Sequence, residues 1–285
     1  MNPARWFFSL GWKHLVGLAV CVYALFPILY ILSVAFSNSA DINSSLFTSF
    51  TFKNFQELFS GTDPDKPFVA WIVNTVWIAS FSSVGSVFLS ALAAYSFSRQ
   101  RFRGRRGGLL GLILLQMFPS VLGLVAIYTF LSELFKYIPV LGLNSPWGLI
   151  LVYLGGSLGG GTYLMYGFFN TVPREIDEAA KIDGASHAQI YFQIILRLVS
   201  PILAVQALLS FIGISSDFIL ASIVMNKPES LTLAVGLGLF IDQPYSKNWA
   251  MFCAGAVIAA TPVVILFMAL QRYITSGLTG GAVKG

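Results

Sequence analysis

The sequence predicts an all-α polytopic membrane protein with six transmembrane helices. Hydrophobic residues make up 56% of the 285 residues and charged residues only 10%, and the mean hydropathy is +0.77. Soluble domains carry about 25% charged residues, so this composition excludes an ordinary soluble domain. Long apolar runs reach the roughly 20 residues that cross a hydrocarbon core. Such lengths favour helices over barrel strands, which alternate over about ten residues.

Six apolar runs define the spans, at about 15–36, 70–97, 109–132, 148–169, 201–225 and 250–271. The first run contains Pro27 and is longer than the core of a secretory signal, so we expect it to be retained. The segments between the spans are too short for a separate soluble domain. We therefore predict one transmembrane domain over residues 1–285.

The basic residues predict the orientation of the chain, because lysine and arginine concentrate on the cytoplasmic side. With the N-terminus inside, 12 of the 17 lie on one side: Arg5, Lys13, Arg99, Arg101, Arg103, Arg105, Arg106, Arg174, Lys181, Arg197, Arg272 and Lys284. The other side has Lys53, Lys66, Lys136, Lys227 and Lys247. Both termini are predicted to be cytoplasmic, and the cluster from Arg99 to Arg106 is interpreted as a membrane anchor, not a nucleic-acid site.

Catalytic and metal-binding patterns are missing from the sequence. No G-x-x-x-x-G-K-[ST] nucleotide-binding motif is present, so any ATP-driven process needs an ATPase on another chain. His14 and His187 are isolated, and Cys21 and Cys253 lie in apolar runs without partners at metal or disulfide spacing. We assign no catalytic residue and no metal ligand.

The polar segment 170–200 is predicted to form a helical hairpin. Pro173 suits the first turn of a helix, and Gly184 suits its end. Ser186 and Gln189 have the spacing of a capping box for a second helix. Acidic residues favour the N-terminus of the first helix: Glu175, Asp177 and Glu178. These features leave open whether the hairpin is a docking element or a plain connector between spans four and five.

The fifth predicted span has polar residues at helical spacing. Gln206, Ser210, Gly213 and Asp217 are four, three and four residues apart, which places them on one helix face. A carboxylate in the bilayer costs several kcal/mol unless it faces protein or water. We predict that this face lines a translocation path; the alternative is a polar seam bonded to neighbouring helices.

Glycines crowd the fourth predicted span. Gly155 and Gly159, and likewise Gly156 and Gly160, are four residues apart, and Gly161 follows them. Small residues at this spacing let helices approach closely, so we expect these glycines to serve packing.

Glu178-Ala-Ala-x-x-Asp183-Gly184-Ala185, with Ile194-x-Leu196 and then Pro201, resembles the EAA loop of ABC importer permeases. In that family the loop is a coupling helix that docks on the cytoplasmic ATPase. The resemblance assigns ATPase coupling to Glu178, Ala179, Ala180, Asp183, Gly184, Ala185, Ile194 and Leu196. Arg197 stands where the family usually has proline, which affects the bend after the motif.

Further motifs resemble the oligosaccharide branch of this family, above all the smaller, MalG-type membrane subunit of maltose/maltodextrin importers. They are Trp71-Ile-Val-Asn-Thr75, Ala94-Tyr-Ser-Phe-Ser-Arg99, Gln116-Met-Phe-Pro119, Tyr153-Leu-Gly-Gly156 and the tail from Gly277 to Gly285. The likeness covers nearly the whole chain and implies a type I importer permease fold. It also implies that the tail contacts the ATPase through Gly277, Thr279, Gly280, Gly281 and Lys284.

The resemblance implies a non-catalytic permease subunit that moves maltose- or maltodextrin-like oligosaccharides across the bacterial inner membrane. Its implied partners are a second permease subunit, two cytoplasmic ATPase subunits that bind ATP–Mg, and a solute-binding protein outside, which meets the segment 226–249. The chain itself needs no cofactor. In the maltose importer the larger permease subunit supplies most of the sugar site, so this chain is expected to line the route.

Three alternatives remain at this stage. An ABC permease for another sugar or for glycerol phosphate would carry the same coupling motif. A secondary transporter driven by an ion gradient predicts more ionisable residues in the spans and a duplicated architecture. An intramembrane enzyme predicts a paired nucleophile and base, or a metal cluster.

Overall fold

The structure is a computed structural model that describes residues 10–41, 46–47, 49–61, 63–242 and 247–282, with side chains described up to residue 273. Helices and turns account for the described residues, and no strand forms among them. The chain divides into two compact units, Met1–Pro64 with Leu237–Ala260, and Asp65–Gly236 with Thr261–Gly285.

The helices in chain order are α1 (Trp12–Ala35), α2 (Lys53–Ser60), α3 (Phe68–Arg99), α4 (Arg105–Gln116), α5 (Leu124–Tyr137), α6 (Pro146–Ser157), α7 (Gly160–Phe169), α8 (Arg174–Ile182), α9 (His187–Leu198), α10 (Ser200–Ser215), α11 (Ile219–Val224), α12 (Leu233–Gly238) and α13 (Trp249–Ala282). Short 3₁₀ turns cover Ser120–Gly123, Pro139–Leu141 and Pro228–Ser230.

Within these described residues, four helical segments are long and apolar enough to cross a membrane: Trp12–Ala35, Phe68–Arg99, Ser120–Tyr137 and Trp249–Tyr273. Two bent pairs, α6 with α7 and α9 with α10, raise the number to six if each pair is one span. The all-α membrane architecture predicted from the sequence is confirmed.

The first unit is built around the end of α1. The side-chain amide of Asn54, in α2, donates to the carbonyl oxygens of Ala35 and Ser37 at 2.9 and 2.8 Å. Phe36 stacks on Phe50 with ring centroids 4.7 Å apart. These contacts fix α2 against the end of α1, whose preceding turns expose apolar side chains on all sides, as expected for a lipid-facing helix.

The second unit is organised around α3, which packs on α6, α7 and α10. The buried face of α3 carries small side chains, among them Ser82, Ser86, Ser90 and Ala94. Small residues allow close helix approach, and their hydroxyls can bond to neighbouring backbone carbonyls. Ser90 does so, donating to the carbonyl oxygen of Ser157 at 3.0 Å.

The helix expected over 109–132 is interrupted in the structure. α4 ends at Gln116, and a 3₁₀ turn follows Pro119 before α5 begins. Proline lacks an N–H and disfavours the α conformation of the residue before it, so the helix stops in front of Pro119. The apolar run continues across this break, which is why hydrophobicity alone suggested one helix.

The fourth and fifth predicted spans are also bent or broken. The axes of α6 and α7 differ by 48° across Leu158 and Gly159, within the predicted span 148–169. The expected helix over 201–225 ends at Ser215, and a short second helix, α11, begins at Ile219. Asp217 therefore lies in the break and not on the helix face inferred from its spacing.

The last helix extends beyond its predicted span. α13 runs from Trp249 to Ala282, whereas the expected span covers 250–271. The backbone of Gly277 to Gly281 is thus helical, and Lys284 of the predicted ATPase-contacting tail lies outside the described residues.

Candidate functional site

The segment 173–200, called the EAA hairpin below, has the two helices expected from its sequence. The turn between α8 and α9 depends on Gly184, whose φ of +82° lies in the left-handed region. The amide of Ala185 donates to the carbonyl oxygen of Ala180 at 2.9 Å, and the amide of Gly184 to that of Lys181 at 3.1 Å. This pair of bonds is a Schellman motif, which satisfies carbonyls left free at the helix end.

The start of α9 is stabilised by the predicted capping box. The amide of Gln189 donates to Ser186 Oγ at 3.3 Å, and Gln189 Oε1 accepts from the amide of Ser186 at 2.8 Å. Two otherwise unpaired backbone donors are therefore satisfied by side chains. The tight turn of the hairpin is specified by these three positions, Gly184, Ser186 and Gln189.

The second helix of the hairpin is held by a buried core. Its central residues, Ile190–Ile195, form a π-helix, in which Ile190, Tyr191 and Ile195 pack with Met165 and Phe169 of α7. Burial, with a smaller contribution from the neighbouring Tyr95, raises the pKa of Tyr191 to about 12.

The predicted coupling residues divide into an exposed and a packed group. Glu178, Ala179, Asp183 and Gly184 are exposed. Ala180 is buried, while Ala185, Ile194 and Leu196 are partly buried against the core. The exposed group is free for contact with another molecule, and the packed group holds the hairpin in place.

Ile182, which the sequence analysis does not single out, is the most exposed apolar side chain of the hairpin. Its side chain is 87% exposed at the end of α8, beside the exposed Asp183. Single exposed apolar side chains are common on protein surfaces, so the exposure of Ile182 does not by itself assign it a role.

A buried ion pair joins the EAA hairpin to α3. Arg99 Nε lies 2.9 Å from Asp177 Oδ2, and the two side chains are only 7% and 10% exposed. Arg99 also donates from Nη2 to the carbonyl oxygen of Val172 at 2.8 Å. The sequence indicates Arg99 as a cytoplasmic charge and Asp177 as an acid at a helix N-terminus, and it does not predict that the two residues pair.

A second set of hydrogen bonds supports the same junction. Arg174 donates from Nη2 to the carbonyl oxygen of Ser98 at 3.0 Å, and Ser98 Oγ is 2.9 Å from Asn170 Oδ1. Arg99, at the end of α3, thus donates to the segment before α8, and Arg174, at the start of α8, donates back to the end of α3. The hairpin is connected directly to the longest helix of its unit.

Arg197 does not prevent the bend after the EAA motif. Arg197 is exposed, and the chain turns by 77° between α9 and α10. Pro201 occupies the first turn of α10, where proline's missing N–H leaves no bond unmade. The bend therefore forms without a proline at position 197.

A cavity of about 1010 Å³ lies in the second unit. All four residues predicted for the translocation path line it: Gln206, Ser210, Gly213 and Asp217. Glycines of α6 and α7 and side chains of α5 complete its wall, including Phe130. The structure thus brings the predicted path residues together, although Asp217 reaches the cavity from a helix break.

Asp217 is held in place by two donors. Tyr153 donates from its hydroxyl to Asp217 Oδ2 at 2.8 Å, and the amide of Leu220 donates to Oδ1 at 3.3 Å. The carboxylate therefore bonds both to the first turn of the short helix α11 and to Tyr153 of α6. Tyr153 belongs to the Tyr153-Leu-Gly-Gly156 motif, but nothing in the sequence indicated that it pairs with Asp217.

The glycines of the fourth span separate into two groups. A Cβ added to Gly161 would lie 2.7 Å from Ser90 Oγ, and one at Gly159 would lie 2.9 Å from Cγ of Gln116. These positions fit the expected close packing. A Cβ at Gly155 or Gly156 would meet no described atom within 4 Å, so packing between helices of this chain does not require glycine at these two positions.

The motif Trp71-Ile-Val-Asn-Thr75 binds the loop 226–236. Trp71 Nε1 donates to the carbonyl oxygen of Pro228 at 2.8 Å. Asn74 donates to the carbonyl oxygens of Glu229 and Leu231, and Thr75 Oγ1 accepts from the amide of Leu233 at 2.6 Å. Three residues of one α3 face therefore fix the course of this loop.

Asn144 holds the same loop from its other side. Its Oδ1 accepts from the amides of Asn226 and Lys227 at 2.8 and 3.0 Å and from Ser230 Oγ at 3.1 Å. Asn144 has a positive φ of 60°, a conformation that asparagine tolerates better than most residues. The loop 226–236 is thus held in place by hydrogen bonds from α3 and from Asn144.

Comparison with known proteins finds one matching family and several relatives similar over nearly the whole chain. The family described as "Binding-protein-dependent transport system inner membrane component" matches residues 86–280. The maltodextrin permease MdxG of Bacillus subtilis is 42% identical over 93% of this chain and 92% of its own. The galactooligosaccharide permease GanQ of the same organism is 39% identical over 99% and 98%. The maltose/maltodextrin permease MalG of Escherichia coli K12 is 36% identical over 95% of both chains.

Solved structures show the same fold. A chain of a bacterial ABC transporter that imports alginate superposes with a TM-score of 0.74 at 23% identity, over 96% of this chain and 98% of that one. An alginate transporter in complex with its periplasmic protein gives 0.60 at 16% identity, over 94% and 90%. The predicted importer-permease fold is confirmed, and the matched family does not support the gradient-driven and enzymatic alternatives. The chain belongs to the family of binding-protein-dependent transport system inner membrane components.

Proposed function

We propose that this permease imports oligosaccharides of the maltodextrin class and that it is driven by ATPase subunits on separate chains. The observation that carries the ATP-driven mechanism is the EAA hairpin, whose exposed residues are presented on a turn anchored to α3. The substrate class is supported by full-length relatives named for maltodextrin, maltose and galactooligosaccharide transport.

The proposed mechanism assigns no bond-making chemistry to this chain. Two cytoplasmic ATPase subunits bind ATP–Mg, and their closure moves the EAA hairpin through contacts at Glu178, Ala179, Asp183 and Ile182. The Arg99–Asp177 pair then passes that movement to α3, which packs on α6, α7 and α10 around the cavity. ATP binding shifts the protein between two conformations because the ATPase dimer has different affinities for them.

The proposed topology has both termini in the cytoplasm. This orientation puts the EAA hairpin and the arginines from Arg99 to Arg106 on the cytoplasmic side, in agreement with the positive-inside rule. The loop 226–236 then faces outward, where its bonds to Trp71, Asn74 and Asn144 give the solute-binding protein a fixed surface to contact. The tail from Gly277 to Gly285 is proposed to contact the ATPase subunits.

Galactooligosaccharides are the second candidate substrates. GanQ matches 99% of this chain at 39% identity, close to the 42% of MdxG. Both substrate classes are chains of pyranose rings with many hydroxyl donors. An importer with a separate binding protein can differ in substrate choice without changing its coupling hairpin.

The first test is to extract the protein from its native membrane in mild detergent and identify the co-purifying proteins by mass spectrometry. The proposal expects a second hydrophobic permease subunit and a soluble subunit with a nucleotide-binding motif. Recovery of this chain alone in several gentle detergents contradicts it. Competition of maltotriose uptake by galactooligosaccharides in the reconstituted complex then separates the two substrate classes.

A further inference from the structure

The arginines that follow α3 line an open surface cavity of about 660 Å³. Its wall is the continuous segment Arg101–Gly107, called the arginine loop below, and no acidic residue of the described chain contributes to it. We propose that the arginine loop binds the phosphate of an anionic phospholipid headgroup, whose acyl chains lie along the neighbouring helix α4. This inference goes beyond the proposed import function and does not depend on which sugar is transported.

The positive charge of the arginine loop is not neutralised within the part of the chain that the structure describes. Four guanidinium groups belong to the loop, those of Arg101, Arg103, Arg105 and Arg106. None of them forms an ion pair with a described carboxylate. Arg105 Nη2 donates to the hydroxyl of Tyr166 at 3.4 Å, and the other three side chains have no described hydrogen-bond partner. Arginine donors match phosphate oxygens two at a time, so this cluster suits a phosphate.

The shape of the arginine loop is fixed before any ligand binds. Gly104 has a φ of +87°, in the left-handed region, and its carbonyl oxygen accepts from the amide of Gly108 at 2.7 Å. Phe102 packs on Phe97 of α3 with ring centroids 5.5 Å apart. A Cβ at Gly104 or Gly107 would meet no described atom within 4 Å, so the space beside these two lining residues is open. A preformed loop loses less conformational entropy when a ligand binds.

The first turns of α4 favour a lipid over a soluble anion. Arg106, Leu110 and Leu114 are four residues apart, which places them along one side of the helix. Arg106 is exposed, and the two leucines are 60% and 64% exposed. A cation one helical turn from an exposed aliphatic stripe matches a phospholipid, in which the phosphate and the acyl chains are adjacent. A soluble phosphate leaves the leucines without a role.

The position of the arginine loop in the chain places it at a membrane surface. The loop directly follows α3, a helix of 32 residues that is long and apolar enough to cross a membrane, and it leads into the apolar helix α4. Basic clusters immediately next to a transmembrane helix are attracted to anionic headgroups of the cytoplasmic leaflet. The proposed topology puts the loop on that side.

A headgroup bound to the arginine loop is adjacent in sequence to the junction with the EAA hairpin. The loop begins two residues after Arg99, whose side chain is paired with Asp177 and only 7% exposed. Arg99 is therefore not available to the lipid, although the bound lipid holds the end of α3 on which Arg99 lies. A ligand that binds only the folded protein raises its stability by mass action, so anionic lipid should stabilise the complex.

The test titrates the complete importer, purified in detergent, with phosphatidylglycerol and counts the bound lipid by native mass spectrometry. The double variant Arg103→Gln with Arg106→Gln removes two charges from the cavity. The matched control is Lys13→Gln with Arg272→Gln, which removes two charges from exposed residues outside the cavity. Phosphatidylcholine, which has no net charge, is the control lipid.

We expect the Arg103/Arg106 variant to bind phosphatidylglycerol about 25-fold more weakly than wild type, about five-fold for each arginine. The Lys13/Arg272 variant should bind like wild type. Phosphatidylglycerol should raise the melting temperature of the wild-type complex but not that of the Arg103/Arg106 variant, and phosphatidylcholine should raise neither. A photoactivatable phosphatidylglycerol should crosslink to the peptide that covers residues 101–114.

Replacing both arginines by lysine separates charge from geometry. Arg103→Lys with Arg106→Lys keeps the two charges but loses the planar, two-pronged donor arrangement. This variant should recover part of the affinity that the glutamine variant loses. Binding as weak as in the glutamine variant contradicts an electrostatic site.

Three results overturn the proposal. The first is equal affinity of the wild type and the Arg103/Arg106 variant for phosphatidylglycerol. The second is displacement of the lipid by inorganic phosphate, which assigns the loop to a soluble anion. The third is a crosslinker at position 110 that captures only the second permease subunit, which assigns the leucine stripe to a protein contact.

The crosslinking arms use the wild-type arginines, so they decide the question even if the Arg103/Arg106 variant does not assemble. None of these measurements requires transport. Failure of the proposed function is therefore distinguishable, because the wild-type complex would then import no oligosaccharide whether or not it binds phosphatidylglycerol.

Discussion

Arg99 and Asp177 form a buried ion pair that connects the end of α3 to the first helix of the EAA hairpin, with Nε and Oδ2 2.9 Å apart. Asp177 directly precedes Glu178, so adjacent residues of α8 have different roles. Asp177 faces the protein interior, whereas Glu178 is exposed. The contact that joins α8 to α3 is therefore made by side chains that solvent hardly reaches.

Breaking this pair is expected to disrupt coupling more than any surface change. Removal of one partner from a buried ion pair costs about 3–5 kcal/mol, because the other charge is left buried and unpaired. Arg99→Asp and Asp177→Arg should each abolish sugar uptake and lower the melting temperature of the purified complex. The double variant restores opposite charges at the same positions and should recover part of both properties.

The pair formed by Lys53 and Glu57 provides the matched control. Its atoms are 3.5 Å apart, and the side chains are 69% and 47% exposed. Exposed pairs contribute about 0–1 kcal/mol, so Glu57→Lys should leave uptake and melting temperature nearly unchanged. A double Arg99/Asp177 variant no better than the single variants would show that the exchanged side chains do not re-form the contact, which in the native protein also includes the bond from Arg99 to the carbonyl oxygen of Val172.

Charge reversal at Glu178 tests the exposed face of the same helix. Glu178→Lys should reduce uptake and co-purification of the ATPase subunits, because the altered side chain faces outward where the ATPase is proposed to dock. Membrane insertion and thermal stability should persist. Glu175→Lys is the control, since Glu175 is also exposed on α8 and undergoes the same charge reversal, although it lies in the first turn, where the helix-dipole interaction is stronger than at Glu178. Normal uptake by Glu178→Lys would remove this residue from the coupling surface.

The turn of the hairpin can be perturbed without touching any neighbour. A Cβ at Gly184 meets no atom within 4 Å, so Gly184→Ala acts only through the positive φ of +82°. The left-handed conformation costs an ordinary residue about 1–2 kcal/mol. We expect uptake to fall most in Gly184→Val, less in Gly184→Ala and least in Gly184→Asn. Asparagine should stay closest to wild type because it tolerates the left-handed conformation.

Limited proteolysis of the hairpin measures how much each substitution destabilises the turn at Gly184. Gly184→Ala should increase cleavage near residues 181–186, and Gly167→Ala, a helical glycine with open space around it, should not. Equal cleavage in the two variants would contradict the assignment of the turn to the backbone conformation of Gly184.

Local signals explain why the EAA hairpin was predictable. A left-handed glycine, a capping box and an N-terminal proline act within a few residues of chain, so Pro173, Gly184 and Ser186 specify the hairpin without tertiary information. The resemblance to the EAA loop then supplied a role for its exposed face. Neither source could give the Arg99–Asp177 contact, which depends on packing between segments far apart in sequence.

Breaks inside apolar runs were harder to predict. Apolar residues flank both Pro119 and the polar triplet Ser215-Ser216-Asp217, so the composition of each run predicts one helix where the structure has two. Asp217 does line the cavity, but not from the helix face that its spacing predicts. Its spacing from Gly213 fitted a helix face, whereas the structure places its carboxylate at the start of α11.

One hydrogen bond between α3 and the loop 226–236, the bond from the backbone amide of Leu233 to Thr75, can be tested separately from the others. Thr75 Oγ1 accepts from the amide of Leu233 at 2.6 Å, and both residues are buried. Thr75→Val keeps the shape of the side chain but removes the acceptor. A buried donor without a partner costs about 1–3 kcal/mol.

This cost predicts faster hydrogen exchange at Leu233 in Thr75→Val, by about five-fold to a hundred-fold, since each 1.4 kcal/mol corresponds to a factor of ten. Mass spectrometry of peptides that cover residues 226–238 measures the rate. Thr129→Val is the control, because the Thr129 hydroxyl bonds only to the carbonyl oxygen of Val125 in its own helix. Unchanged exchange at Leu233 would mean that the other bonds, from Trp71, Asn74 and Asn144, hold the loop without Thr75. If Thr75→Val also weakens stimulation of ATP hydrolysis by the binding protein, the fixed course of this loop is part of the docking surface.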